Sequence, residues 1–211
     1  MIDSNILKYS KLETLNVSRE TFPELEEFRY LILEKNKEIN LISSKTEGIS
    51  RERHIIDCAQ IIDFIDKNDK LCTDIGSGSG LPGIVLAIIM KHRKSNMKFN
   101  LYEKSFHKSN FLKEVSKKFE LNTKIFQKNI FEEKNLVTDL IVARAFKPLQ
   151  IILQLIHSKA KNWKKIFIYL GKTGKNELLQ ASKSWDIEYK QRVSVTSDDS
   201  IVIEINRIRK K

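Results

Sequence analysis

The chain has 211 residues, enough for one ordinary domain with a real core, and its 41% hydrophobic and 31% charged residues are those of a soluble globular protein. Cys58 and Cys72 are its two cysteines and lack C-x-x-C spacing, so neither a disulfide framework nor a thiolate metal site is implied and two reduced, buried thiols are expected. A formal net charge of +11 makes nucleic acid a plausible partner, although a solvated lysine face gives the same charge.

In chain order, the first element is helical. Thr21-Phe22-Pro23-Glu24 has capping-box spacing, and Leu25, Phe28, Ile32 and Ile39 recur at helical intervals to about Asn40. A second helix is expected over about residues 47–65, with Ile55, Ala59, Ile62 and Phe64 on its apolar face. From residue 71 short apolar strands alternate with helical stretches: strands over 71–75, 98–102, 123–127, 139–143 and 165–170, and helices from Pro82, over about 105–119, and from Leu149. Such alternation implies right-handed crossovers and a parallel sheet covered on both faces. The segments 187–195 and 201–208 are separated only by Thr196-Ser197-Asp198-Asp199-Ser200, a hairpin signal that puts an antiparallel pair at one sheet edge. The expected fold is α/β, a single unit over 1–211 in which a helical extension, 1–69, packs on an α/β core, 70–211.

The longest apolar run, 81–90, contains Pro82 and Gly83 and is too short to span a bilayer. Met1-Ile2-Asp3-Ser4-Asn5 lacks the basic and then apolar order of an export signal, so a cytoplasmic protein away from membranes is expected. A monomer is expected as well.

The stretch Thr73-Asp74-Ile75-Gly76-Ser77-Gly78-Ser79-Gly80-Leu81-Pro82-Gly83 crowds glycines between a strand and a helix. Alternate glycines let the backbone turn sharply and leave no Cβ between the main chain and a ligand. Starting at Gly78, the stretch satisfies the dinucleotide fingerprint G-x-G-x-x-G through Gly80 and Gly83. Starting at Asp74, it is D-x-G-x-G-x-G, which resembles the first motif of S-adenosylmethionine-dependent methyltransferases. The Asp74 carboxylate would repel a pyrophosphate, but it can order the loop and meet the ammonium end of a methionine moiety through water. A tight turn with no ligand is the bland alternative. Gly171-Lys172-Thr173 is no P-loop, because Ile166 holds the place of its first glycine. A nucleophile elbow would need serine where Gly78 stands.

Ligands of open α/β sheets sit beyond the carboxyl ends of the strands. Those ends are Asp74 with the glycine loop, Glu103, the pair Asn129-Ile130, and Arg144. Glu103 lies 23 residues after Gly80, about the interval at which an acidic residue reaches ribose hydroxyls. The alternative for Glu103 is a carboxylate at the start of the next helix. Arg144 ends an apolar run, where a guanidinium can hold a ligand carboxylate or an RNA phosphate, or form a salt bridge to a neighbouring helix. His54 and Asp57, three apart on the second helix, read as a helix-surface pair. His92, His107 and His157 are scattered and support no metal site.

Taken together, Asn40-Leu41-Ile42-Ser43, Arg53-His54-Ile55-Ile56-Asp57, the Asp74 to Gly83 motif and Ala143-Arg144-Ala145-Phe146 resemble the successive signatures of the RsmG (GidB) family. The resemblance runs in order from about Leu25 to Lys172. It implies the seven-strand methyltransferase fold, S-adenosylmethionine as cofactor, and methylation of a guanine N7 in bacterial 16S ribosomal RNA, naked or in the small subunit. It also implies cofactor contacts at Gly76, Leu81, the backbone around Asn129 and Ile130, and Arg144. With the residues read above, the candidate cofactor set is Asp74, Gly76, Gly78, Gly80, Leu81, Glu103, Asn129, Ile130 and Arg144. Asn40, His54 and Asp57 are candidates for the RNA side. Guanine N7 carries a lone pair and no proton, so no catalytic base is expected. The rival readings are a non-catalytic RNA-binding or ribosome-assembly protein with a vestigial pocket, and a nicotinamide oxidoreductase, for which no hydride-transfer constellation is evident.

Overall fold

The structure is a computed structural model that describes residues 9–211; Met1-Ile2-Asp3-Ser4-Asn5, read above for export, lie outside the described residues. Its centre is a seven-stranded sheet in the order β3-β2-β1-β5-β7-β9-β8. The strands are β1 (Leu71–Ile75), β2 (Lys98–Tyr102), β3 (Thr123–Phe126), β5 (Leu140–Arg144), β7 (Lys165–Leu170), β8 (Trp185–Ser194) and β9 (Ser197–Lys210). The two-residue strands β4 (Leu136–Val137) and β6 (Ala160–Lys161) pair separately. From β3 to β7 the large sheet is parallel, and β9 and β8 complete it antiparallel at one edge, as the sequence pattern implies.

Helices cover both faces. The long helix α1 (Phe22–Asn36), the segment α2 (Arg51–Ile56 and Asp57–Ala59), α3 (Gly83–His92) and α4 (Phe106–Lys118) share one apolar cluster, while α5 (Leu149–Lys159) and α6 (Gly174–Ala181) belong to another. A helix buried on all sides needs no polar face. That is the situation of α3, whose residues from Gly83 to Met90 are all buried and share their cluster with Phe22, Leu25 and Phe28 of α1. The N-terminal helices are thus the outer layer over α3. Among the described residues no helix is long and apolar enough to cross a membrane. Both cysteines are free and buried.

Several local expectations are corrected. The capping box does not form: Thr21 is helical and makes no cap bond, because a 3-10 turn, Arg19–Thr21, runs straight into α1, and Glu24 instead accepts a 2.8 Å bond from Lys91. Helix α1 stops at Asn36 and not near Asn40, since Asn36 Oδ1 accepts bonds from Leu41 N (2.7 Å) and Ile42 N (2.9 Å) and turns the chain. The expected second helix is π-helical over Arg51–Ile56, α-helical only over Asp57–Ala59, and ends in a 3-10 turn, Ile62–Phe64. The hairpin loop is also shorter than its polar sequence suggests, because Ser194 pairs with Ser197 and residues 197–200 belong to β9.

Candidate active site

Beyond β1, Gly76, Gly78 and Gly80 take φ values of +74°, +55° and +89°, the left-handed region that favours glycine. The loop is fastened from beneath. Ser77 N donates to Tyr102 O at 2.9 Å, Gly80 N donates to Ser77 O at 2.7 Å, and Gly83 N donates to Asp74 Oδ2 at 2.9 Å. A Cβ on Gly83 would lie 2.5 Å from that carboxylate oxygen, and one on Gly80 would lie 2.5 Å from Ile84 Cγ1, so close packing requires glycine at both. Asp74 is 1% exposed, its Oδ1 has no partner, and burial pushes its carboxyl up to about 7 against the lowering effect of the Gly83 and Ser77 bonds. Asp74 therefore orders the loop from below and stands behind the cleft wall.

Two cavities flank the loop. One, of about 270 Å³, is bounded by Gly76, Gly78, Glu103, Asn129 and Ile130. The other, of about 360 Å³, is bounded by Gly78, Leu81, His54, Asp57, Arg144 and Tyr169. A Cβ added to Gly78 would meet nothing nearer than the Gly76 carbonyl oxygen at 3.9 Å, so this glycine faces open space where the cavities join. Glu103 accepts from Gly78 N (2.9 Å) and Ser105 N (2.7 Å), tying the loop to the start of α4. Each of its oxygens keeps a lone pair for a further donor. Asn129 caps the turn Ile130–Glu132 by accepting from Phe131 N at 3.2 Å, which leaves its backbone at the cavity wall.

Arg144, the last residue of β5, donates from Nε to Asp57 Oδ2 at 3.3 Å and from Nη2 to the Arg53 carbonyl at 2.6 Å. Asp57 Oδ1 accepts from Gln60 Nε2 (2.8 Å) and Ser194 Oγ (2.7 Å), so one buried carboxylate joins α2, β5 and the β8–β9 turn. His54 and Asp57 do not form a surface pair: both are buried, 7% and 5% exposed, because α2 is wedged between the strand ends and the hairpin. Burial, together with the Arg144 and Arg53 charges, lowers the His54 imidazole to about 3, so it is neutral. The Thr46 hydroxyl gives its proton to Ser43 O (2.8 Å) and so accepts from His54 Nε2 (2.9 Å), which makes Nδ1 the bare nitrogen, and Nδ1 has no partner.

The fold thus gathers Gly76, Gly78, Leu81, Glu103, Asn129, Ile130, Arg144, His54 and Asp57 around two joined cavities, with Asp74 and Gly80 beneath the loop. Asn40 stays outside, exposed just before Leu41, Ile42 and Ser43, which line the larger cavity. Sequence reasoning gave no site role to Phe146, quoted only as the end of a signature, whose ring lies where a Gly76 Cβ would be, and missed Lys108, which lines both cavities. Phe146 had a signal in its place two residues beyond the Arg144 strand end. Ser194, 137 residues from its partner Asp57, had none. Among the described residues no cluster of His, Cys, Asp and Glu could hold a metal ion.

Comparison with known proteins identifies the family and the fold. The family model described as GidB, rRNA small subunit methyltransferase G, matches residues 21–202. The Ribosomal RNA small subunit methyltransferase G of Pelagibacter ubique (strain HTCC1062) is 45% identical over 205 residues, covering 96% of each chain. Two solved structures share the fold at low identity. A SAM-dependent methyltransferase from Aquifex aeolicus has a TM-score of 0.56 at 15% identity, over 77% of this chain and 96% of that one. M. capricolum TrmK, in complex with S-adenosyl-homocysteine, has a TM-score of 0.53 at 19% identity, over 79% of this chain and 69% of that one. With the family model spanning most of the chain and a relative of this identity along nearly its whole length, the protein belongs to the rRNA small subunit methyltransferase G family.

Proposed function

We propose that this chain transfers the methyl group of S-adenosylmethionine to N7 of a guanine in 16S ribosomal RNA. It acts as a cytoplasmic monomer, with residues 1–69 and 70–211 working as one unit. Family membership supports the reaction class. The observation that carries the cofactor assignment is the bare backbone at Gly78 facing open space, with the Glu103 carboxylate bound to its N–H at 2.9 Å.

The residues fit a sulfonium nucleoside. Gly76 and Gly78 present main chain without side chains, Glu103 has lone pairs for ribose hydroxyls, and Leu81 and Ile130 offer apolar contact. The backbone of Asn129 and the Arg144 guanidinium supply polar contacts, while Asp74 and Gly80 hold the loop in shape. When bound, S-adenosylmethionine supplies an electrophilic methyl group. Guanine N7 offers an in-plane lone pair and loses no proton, so the protein's task is alignment, worth about 7–11 kcal/mol in well-oriented systems. Lys108, with His54 and Asp57 on the wall of the larger cavity and Asn40 exposed outside it, is assigned to the RNA side of the cleft. The deciding experiment incubates the protein with labelled S-adenosylmethionine and small-subunit ribosomal RNA from cells lacking this activity, then maps the label. N7-methylguanine is expected; label on a ribose oxygen or exocyclic amine rejects the assignment.

A further inference from the structure

A third cavity, of about 300 Å³, lies beyond the carboxyl ends of β5 and β7, against α5 and α6. Ala143, Phe146, Ile168 and Leu170 give it apolar walls, and Lys147 and Glu177 are its two charged residues. Ala145, Phe146 and Lys147 also bound the cavity over Gly76 and Glu103, so the two spaces share one wall. The Phe146 ring lies against Gly76 and stacks on Phe131 with centroids 5.9 Å apart, which holds an aromatic ring in that wall. Glu177 is held in place: Oε2 accepts from Leu149 N at 2.9 Å and Oε1 from the Thr173 hydroxyl at 2.8 Å, and each oxygen keeps a lone pair.

We infer that this cavity receives the target guanine, with the base against Phe146 and its Watson–Crick edge toward Glu177 and Lys147; the inference rests on the reading of the site as a guanine-N7 methyltransferase. Enzymes that work on a base splay it out of its stack and read its edges in a pocket with an aromatic wall. Among the bases, guanine presents an acceptor, O6, beside two donors, N1–H and N2–H. A carboxylate accepts from both donors and an ammonium group donates to O6, so one anion and one cation in the same cavity match that edge. Adenine would set its N1 lone pair against the carboxylate and its amino group against the ammonium. N7 lies on the neighbouring edge, which this grip leaves free to face the wall shared with the cofactor cavity.

The test uses ribosomal RNA in which the guanosine methylated by the wild-type protein is replaced by inosine, which lacks the N2 amino group. With wild type, inosine should lower kcat/KM by about 10–100-fold, the loss of a charge-assisted hydrogen bond. Glu177→Gln should lower kcat/KM on the guanosine RNA by a similar factor, and inosine should then cost little more, the non-additivity expected of partners in contact. The S-adenosylhomocysteine dissociation constant should stay within about twofold of wild type in Glu177→Gln, as for residues that do not touch. A wild-type protein indifferent to inosine overturns the inference whatever the variant does, and so does a folded Glu177→Gln that discriminates as strongly as wild type. Failure of the functional reading is separately visible, as absence of N7-methylguanine from the wild-type reaction on unmodified RNA.

Discussion

Arg144 and Asp57, 87 residues apart in sequence, meet at 3.3 Å on the wall of the larger cavity, with side chains only 14% and 7% exposed. Removing one partner of a buried pair leaves the other charge uncompensated, at a cost of roughly 3–5 kcal/mol. Asp57→Asn should therefore lower the urea midpoint markedly and weaken S-adenosylhomocysteine binding, since the guanidinium loses its anchor. Arg144→Lys should fare little better, because an ammonium cannot reach the Asp57 carboxylate and the Arg53 carbonyl in one fork. Calorimetry on folded variants checks both, and an unchanged affinity in either would separate this pair from the cofactor site.

Gly78 and Gly83 are glycine for different reasons, and substitution should tell them apart. Gly83→Ala puts a Cβ 2.5 Å from the buried Asp74 carboxylate, and overpacking of this kind costs about 1–3 kcal/mol. Gly78→Val meets no neighbour but fills the open cleft at a φ of +55°. The expected result is a folded Gly78→Val, modestly destabilised, with no detectable cofactor binding, and a Gly83→Ala whose main defect is thermal. A Gly78→Val that binds S-adenosylhomocysteine normally would remove the ligand from that face of the loop.

How much of this was legible in the sequence follows from where the determinants lie. The strands β1, β2 and β7 could be bounded because each is short and is followed at once by a glycine or a charged residue, Gly76, Glu103 and Gly171. The glycine loop was legible because left-handed backbone leaves its mark on residue type. The π-helical turn at His54 was not, since widening a helix changes no local preference, and so the burial of His54 and Asp57 was misread. Helix α6 escaped notice because its eight residues bury only Gly174, Leu178 and Ala181. The Asp57, Arg144 and Ser194 network depends on three distant segments and becomes visible only in the fold.

Glu103 accepts bonds from two backbone N–H groups and borders the cavity over Gly76. If it also accepts from ribose hydroxyls, Glu103→Ala should weaken cofactor binding by roughly 1.5–3 kcal/mol, the range for hydrogen bonds to a charged group. The Kd for S-adenosylhomocysteine measures this directly. An unchanged value in a folded variant would return Glu103 to the role of loop tether and helix-end carboxylate.

Asp74 and His54 tilt stability against pH in opposite directions. Asp74 rises from 3.8 to about 7 on folding, so the folded state binds more protons between those values and this carboxyl makes the protein less stable as pH rises through that window. His54 falls from 6.5 to about 3, so its contribution is complete above 6.5 and is lost as pH falls toward 3. Asp74→Asn should remove the first slope, and denaturation midpoints taken between about pH 4 and 7 should then rise more steeply with pH than in wild type. Nitrogen-15 spectra should show His54 neutral near pH 6, with Nε2 protonated and Nδ1 bare. A charged His54 there, or unchanged slopes in Asp74→Asn, would contradict the burial argument.

The transfer step should need no titrating base. The polar groups at the strand ends are Asp74 beneath the loop, Glu103 engaged with backbone N–H groups and Arg144 paired with Asp57. His54, the histidine of the cavity, is already neutral, and N7 has no proton to give up. In single-turnover reactions with cofactor and RNA saturating, the rate should stay nearly flat between about pH 6 and 8.5. Asp74 titrates near the middle of that range, but it lies behind the loop, so its effect belongs to cofactor affinity and is removed by saturation. RNA affinity, in contrast, should fall steeply with salt, with a log-log slope of about −0.7 for each phosphate contact in single-stranded regions. A rate that climbs tenfold per pH unit through this range would mean that a base takes a proton during transfer, and the acceptor would then be a different atom from guanine N7.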